Sequence, residues 1–107
     1  MSSTAKILNS IIIEKMKRDP DGVARMVRDY LQAQVGESTG VFGISVEGVG
    51  LVKKEDVIRL HFTLHLDKKE VQHEARWVEA DLLTFDTPIT QLIRDELNQA
   101  LSNLHGG

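Results

Sequence analysis

The chain has 107 residues, enough for one hydrophobic core of ordinary size, and its 41% apolar and 27% charged residues are those of a folding globular domain. It contains no cysteine, which excludes disulfides, thiolate zinc sites, iron–sulfur clusters and a thiol nucleophile together. Its net charge of -3 argues against bulk attraction to nucleic acid, although residues 1–35 carry six basic and four acidic groups, a local net of +2.

Glu14, Lys15, Lys17 and Arg18 break the apolar run after Ile13, so neither a secretory leader nor a membrane span is expected. A reducing compartment, the cytoplasm, is the expected location. A domain this small buries only somewhat over about 60% of the surface its unfolded chain exposes, which makes a second subunit an attractive source of further burial.

Ile7, Leu8, Ile11, Ile12 and Met16 recur at helical spacing and predict a first helix over residues 4–18, with Ser2, Ser3 and Thr4 upstream as N-caps. Ile13 falls outside their arc. One sheet covers one stripe of a helix, so Ile13, with Ile12 beside it, is expected to face outward against another subunit. Asp19-Pro20-Asp21-Gly22 combines an N-cap, proline at the first helical position and an acidic first turn, which ends the first helix and starts a second over 20–35. Val23, Met26, Val27, Tyr30, Leu31 and Val35 form its apolar stripe, with Gly36 as the expected terminator.

From Gly40 the period changes to two. Phe42, Ile44 and Val46 alternate with smaller or polar residues in a predicted strand over 41–52, where Gly48 and Gly50 point to a bulge or a close approach. Residues 57–66 give the clearest strand, with Ile58, Leu60, Phe62, Leu64 and Leu66 on one face and Arg59, His61, Thr63 and His65 on the other. A third strand is predicted over 71–85, with Leu66 opposite Val71, Leu64 opposite His73, Phe62 opposite Ala75 and Leu60 opposite Trp77. That register buries Trp77 against Leu60, pairs His61 with Arg76, Thr63 with Glu74 and His65 with Gln72, and needs a bulge near residues 79–81. Thr87-Pro88 opens a last helix over 88–104, with Ile89, Leu92, Ile93, Leu97, Ala100, Leu101 and Leu104 as its stripe. The expected fold is α+β in the order α-α-β-β-β-α, a three-stranded antiparallel meander with helices mainly on one face.

The chemistry-bearing residues do not converge. His61 and His65 share a strand face but stand about 13 Å apart at roughly 3.3 Å per residue, beyond the reach of one ion, so no metal and no cofactor are expected. Ser45 in Gly43-Ile44-Ser45-Val46-Glu47 lacks the second glycine and following helix of a nucleophile elbow, and Gly48-Val49-Gly50 lacks the third glycine of a dinucleotide fingerprint. What remains concerns surfaces. The reading is a non-enzymatic, self-associating protein-interaction or regulatory module whose partner is another protein or a second copy, using Ile12 and Ile13 or the polar hairpin face with Arg59, His61 and Arg76. Two alternatives stand beside it: nucleic-acid binding by Arg25 and Arg28 at the helix corner, and a small ligand or reaction at the hairpin face.

Overall fold

A computed structural model describes residues 3–39 and 43–106. The expected start of the first strand at Val41 and Phe42, and the cap position Ser2, lie outside the described residues. The order is α1 (Ser3–Arg18), α2 (Pro20–Thr39), β1 (Ser45–Lys54), β2 (Val57–Leu66), β3 (Lys69–Val78), α3 (Glu79–Thr84) and α4 (Ile89–Gly106). The strands form one antiparallel sheet in the order β1-β2-β3 with the helices packed against it, an α+β architecture. No helix among the described residues is long and apolar enough to cross a membrane.

The helix corner forms for the local reasons its sequence gives. Asp19 alone separates α1 from α2, its Oδ1 accepts the Gly22 N–H at 3.0 Å, and its backbone N–H closes α1 on the Lys15 carbonyl at 2.7 Å. A Cβ at residue 22 would collide with the capping carboxylate, so glycine is what fits. Gly36 does not end α2, which runs on to Thr39.

On the inner face of β2, Ile58, Leu60, Phe62 and Leu64 are almost completely buried and meet Leu31, Val35, Leu97, Leu101 and Leu104 from the helices in one core. Two-residue turns, Glu55-Asp56 and Asp67-Lys68, join the strands, each with its first residue in the left-handed region (φ 58° and 56°). The tighter second turn moves the β2–β3 register by two residues from the expected one. Leu64 faces Val71, Phe62 faces His73, Leu60 faces Ala75 and Ile58 faces Trp77. A shift of two preserves which face each side chain occupies and changes only its partners. Trp77 therefore packs half-buried at the margin of the core, opposite Ile58 and not Leu60.

β3 stops at Val78. The bulged continuation expected to Phe85 is instead a six-residue helix, α3, with Glu79 and Asp81 in its first turn and Leu82 fully buried. This helix carries the chain from the sheet back beneath α1. There Asn9, the one polar side chain fully buried among the described residues, holds it: Nδ2 donates to the carbonyls of Leu82 at 2.9 Å and Thr87 at 3.1 Å, and Oδ1 accepts the Ile89 N–H at 2.7 Å. α4 begins at Ile89, one residue later than expected, and its first N–H is capped by this distant amide and not by Thr87. Replacing Asn9 by Leu leaves two buried carbonyls and one buried N–H without partners, so Asn9→Leu should cost about 3 kcal/mol in urea unfolding. Asn9→Asp should cost more at neutral pH, because it buries a carboxylate against two carbonyl oxygens. Its carboxyl pKa is raised on folding, so its deficit relative to wild type should shrink as pH falls toward about 4.

Candidate functional site

Two surfaces could do work, and they differ in kind. The outer face of the sheet carries Arg59, His61, Thr63 and His65 on β2, opposite Arg76, Glu74, Gln72 and Glu70 on β3. The expected pairs of His61 with Arg76, Thr63 with Glu74 and His65 with Gln72 are each displaced by the register shift. Arg59 and Arg76 now stand directly opposite one another, an arrangement that repels. Glu74 relieves it, with Oε1 3.2 Å from Arg59 Nε and Oε2 3.6 Å from Arg76 Nη2. His65 Nε2 lies 3.1 Å from Glu47 Oε2 and 4.0 Å from Glu70 Oε1.

His61 has a structural task. Its Nδ1 is 2.8 Å from the Gly48 carbonyl oxygen, which can only accept, so that nitrogen carries the proton. The partner carbonyl belongs to a bulge, where the β1–β2 register shifts between Glu47 and Gly50 and Gly48 adopts φ 59°. The imidazole lies over Gly50, where a Cβ would overlap it. The expected bulge is present; what comes close to Gly50 is the His61 side chain, not the second backbone or helix that a close approach there was expected to mean. On the other face His73 Nε2 donates to Glu96 Oε1 at 2.8 Å, with its ring 5.4 Å from that of Phe62. Among the described residues no three His, Asp or Glu side chains converge on a point that could hold a metal ion. The sheet face is a ladder of paired charges with wide, open depressions, one lined by Arg59, His61, Thr63 and Glu74 among others and one by Lys54, Glu55, Arg59 and Arg76 among others.

The helical side is different. Ile13 is 2% exposed and part of the core, which corrects its expected outward position; Ile12 is half-buried beside it. The buried stripe of α1 runs through Ala5, Asn9, Ile13 and Met16, so the apolar residues left facing out are Ile7 (56% exposed) and Ile11 (58%), one turn apart, with Leu8 at their flank. One further turn along, Lys15 Nζ rests 3.3 Å from the sulfur of Met26, itself 52% exposed. Behind this pair, between α1, α2, α4 and the sheet, an apolar cavity of about 80 Å³ opens to the surface, lined by Ile12, Val23, Met26, Tyr30, Leu51 and Ile93 among others. The Tyr30 hydroxyl is spent on the Thr90 carbonyl at 3.2 Å.

No family model matches the chain, and no curated protein and no solved structure matches it either.

Of the residues singled out from sequence, Arg59, His61 and Arg76 share the sheet face, Ile12 lines the cavity, and Ile13 is withdrawn into the core. Arg25 and Arg28 are exposed on α2, Arg28 with Asp29 at 3.7 Å. The pairing of Lys15 with Met26 is not foreshadowed in the sequence. Met26 fits the apolar stripe of the second helix by spacing, and only the position of α1 shows that it stands at a rim. At the bulge, Gly50→Ala should expel the His61 ring and cost about 1 kcal/mol through the lost hydrogen bond. His61→Ala added to Gly50→Ala should cost little more, and a double-mutant cycle by urea unfolding measures this coupling.

Proposed function

We propose that the protein is a non-enzymatic protein-interaction module of the cytoplasm that receives an apolar side chain of a partner protein in the cavity between α1, α2 and α4. The observation that carries this reading is the conjunction of that cavity with the exposed strip Ile7–Ile11 leading to its rim at Met26. The cavity has room for several water-sized spheres but almost no free polar group to bond them, so an apolar side chain gains more there than water does. At the rim the ammonium of Lys15 meets a sulfur and, among the described residues, no carboxylate. A partner segment with an apolar anchor and an acidic neighbour, presented on one face of a helix, complements both features. The titratable groups of the sheet face neutralise one another in the open, which suits solubility and strand pairing better than proton transfer.

Met26 and Ile11 are exposed enough that charged substitutions should leave stability within about 0.5 kcal/mol of wild type. A photo-crosslinking amino acid at position 26, irradiated in the host cell, should trap one partner protein. The yield should fall at least about tenfold on adding Ile11→Glu, since burying such a side chain contributes roughly 1.5–3 kcal/mol. The same probe at position 94 should trap none. Cross-links to nucleic acid, or a partner equally well trapped with Ile11→Glu, would refute the reading.

A further inference from the structure

The two edges of the sheet are treated differently. β1 is blunted: the Gln32 amide donates to the Ile44 carbonyl at 3.0 Å and accepts the Val46 N–H at 3.1 Å, and a bulge interrupts the strand between Glu47 and Gly50. These are the ordinary protections of an edge against pairing with another strand. β3 has neither of these two, although Lys69, Glu70, Glu74 and Arg76 place charges along it. It is ten residues long, contains no proline or glycine, pairs with β2 without a register break, and no strand among the described residues pairs with its other side.

Burial changes across the sheet in the same sense. Ile58, Leu60, Phe62 and Leu64 on the inner face of β2 are 0–1% exposed, whereas Val71, His73, Ala75 and Trp77 on β3, like Leu66 at the end of β2, are only half-buried. Val78, on the outer face of the same strand, is 43% exposed. A long, regular, open edge with an unfinished apolar face is a template for one more strand.

We infer that β3 pairs antiparallel with β3 of a second copy about a two-fold axis at Ala75, joining two sheets into one of six strands. Among registers centred on residues 73 to 76, the middle and later part of the strand, the sequence of β3 favours one. Antiparallel pairing that keeps like faces together places one residue opposite itself. Centred on Glu74, the carboxylate meets its own copy; centred on Arg76, so does the guanidinium; centred on His73, Trp77 falls opposite Lys69. Centred on Ala75, the smallest side chain of the strand lies on the axis. Arg76 then meets Glu74 of the other copy twice, and Trp77 lies over the other copy's His73 on the half-covered inner face. The second copy is thus the occupant whose charges match. The inference does not depend on the cavity described above.

Sedimentation equilibrium of the full chain tests it. The wild type should be dimeric at tens of micromolar, with the emission of Trp77 shifting to shorter wavelength as concentration rises. Arg76→Glu sets carboxylate against carboxylate at both contacts and should weaken the dimer about thirtyfold or more, and Glu74→Arg should do the same with guanidinium groups. An equimolar mixture of the two variants restores both pairs and should form a heterodimer of near wild-type affinity, which also shows that each variant is folded. A wild type that stays monomeric at 100 µM overturns the inference. So does a dimer indifferent to both variants, or a mixture that fails to associate. Met26→Glu should leave the dimer intact; if it dissociates the dimer, the contact lies at the helical rim and not at β3.

Discussion

The arrangement of the layers depends on the Asn9 side chain. Apolar burial supplies most of the stabilisation, but it is non-directional and would accept α4 at several offsets along the sheet. The amide is directional. Its three hydrogen bonds join residues 73 to 80 positions apart in the chain and fix together the end of α3, the carbonyl of Thr87 and the first N–H of α4. The other end of α3 is tethered as firmly, by the Glu79 N–H on the Asp56 carbonyl at 2.7 Å. The Glu79 carboxylate lies between Lys17 at 3.7 Å and Lys53 at 3.5 Å. A helix too short to hold itself is thus pinned at both ends, and through it α4 is aligned with Glu96 against His73 and Thr90 against Tyr30.

What the sequence disclosed and what it concealed divide along the range of the interactions. The corner at Asp19-Pro20-Asp21-Gly22 was legible because its cap, its proline and its glycine act on neighbours within one turn. β2 was legible because strict alternation over ten residues belongs to no other element. The facing of α1 was concealed. Six large apolar residues surround most of that helix, and the centre of its buried stripe is marked by Ala5 and Asn9, a small residue and a polar one, which hydropathy reads as surface. So Ile13 was expected outside and Ile7 and Ile11 inside, the reverse of their positions. The β2–β3 partners were missed because alternation fixes face and not offset, and turn length sets offset. The cavity was out of reach altogether: four elements contribute its walls, and Lys15 and Met26 meet only when they are assembled.

The sheet face and the helical face answer different physical demands. On the sheet, Glu74 bridges two facing arginines and Glu47 and Glu70 flank His65, so that a row of charges coexists at close spacing while its backbone is held by neighbours. Such a surface resists apolar association. On the helical side charge is sparse at the cavity, and apart from Lys15, Tyr30 and Thr90 the side chains that line it are aliphatic or, at Met26, sulfur-bearing and adaptable. The corner glycine and the capping carboxylate of Asp19 join α1 to α2 through a single residue, and both helices contribute walls to the cavity.

The position of the cavity relative to the bare strand decides how the two surfaces combine. α2, which forms one wall of the cavity, packs chiefly on β1, whereas β3 is the opposite edge of the sheet. An additional strand on β3 therefore extends the molecule away from the cavity and does not cover it. A two-fold pair of chains would carry two cavities, each with its Lys15 and Met26 at the rim. Partner segments linked within one molecule, or repeated on a surface, would then bind with an effective concentration set by the spacing between the cavities and not by the bulk. A single apolar anchor of 1.5–3 kcal/mol is a weak contact by itself. Doubling it through strand pairing would raise avidity without enlarging the cavity.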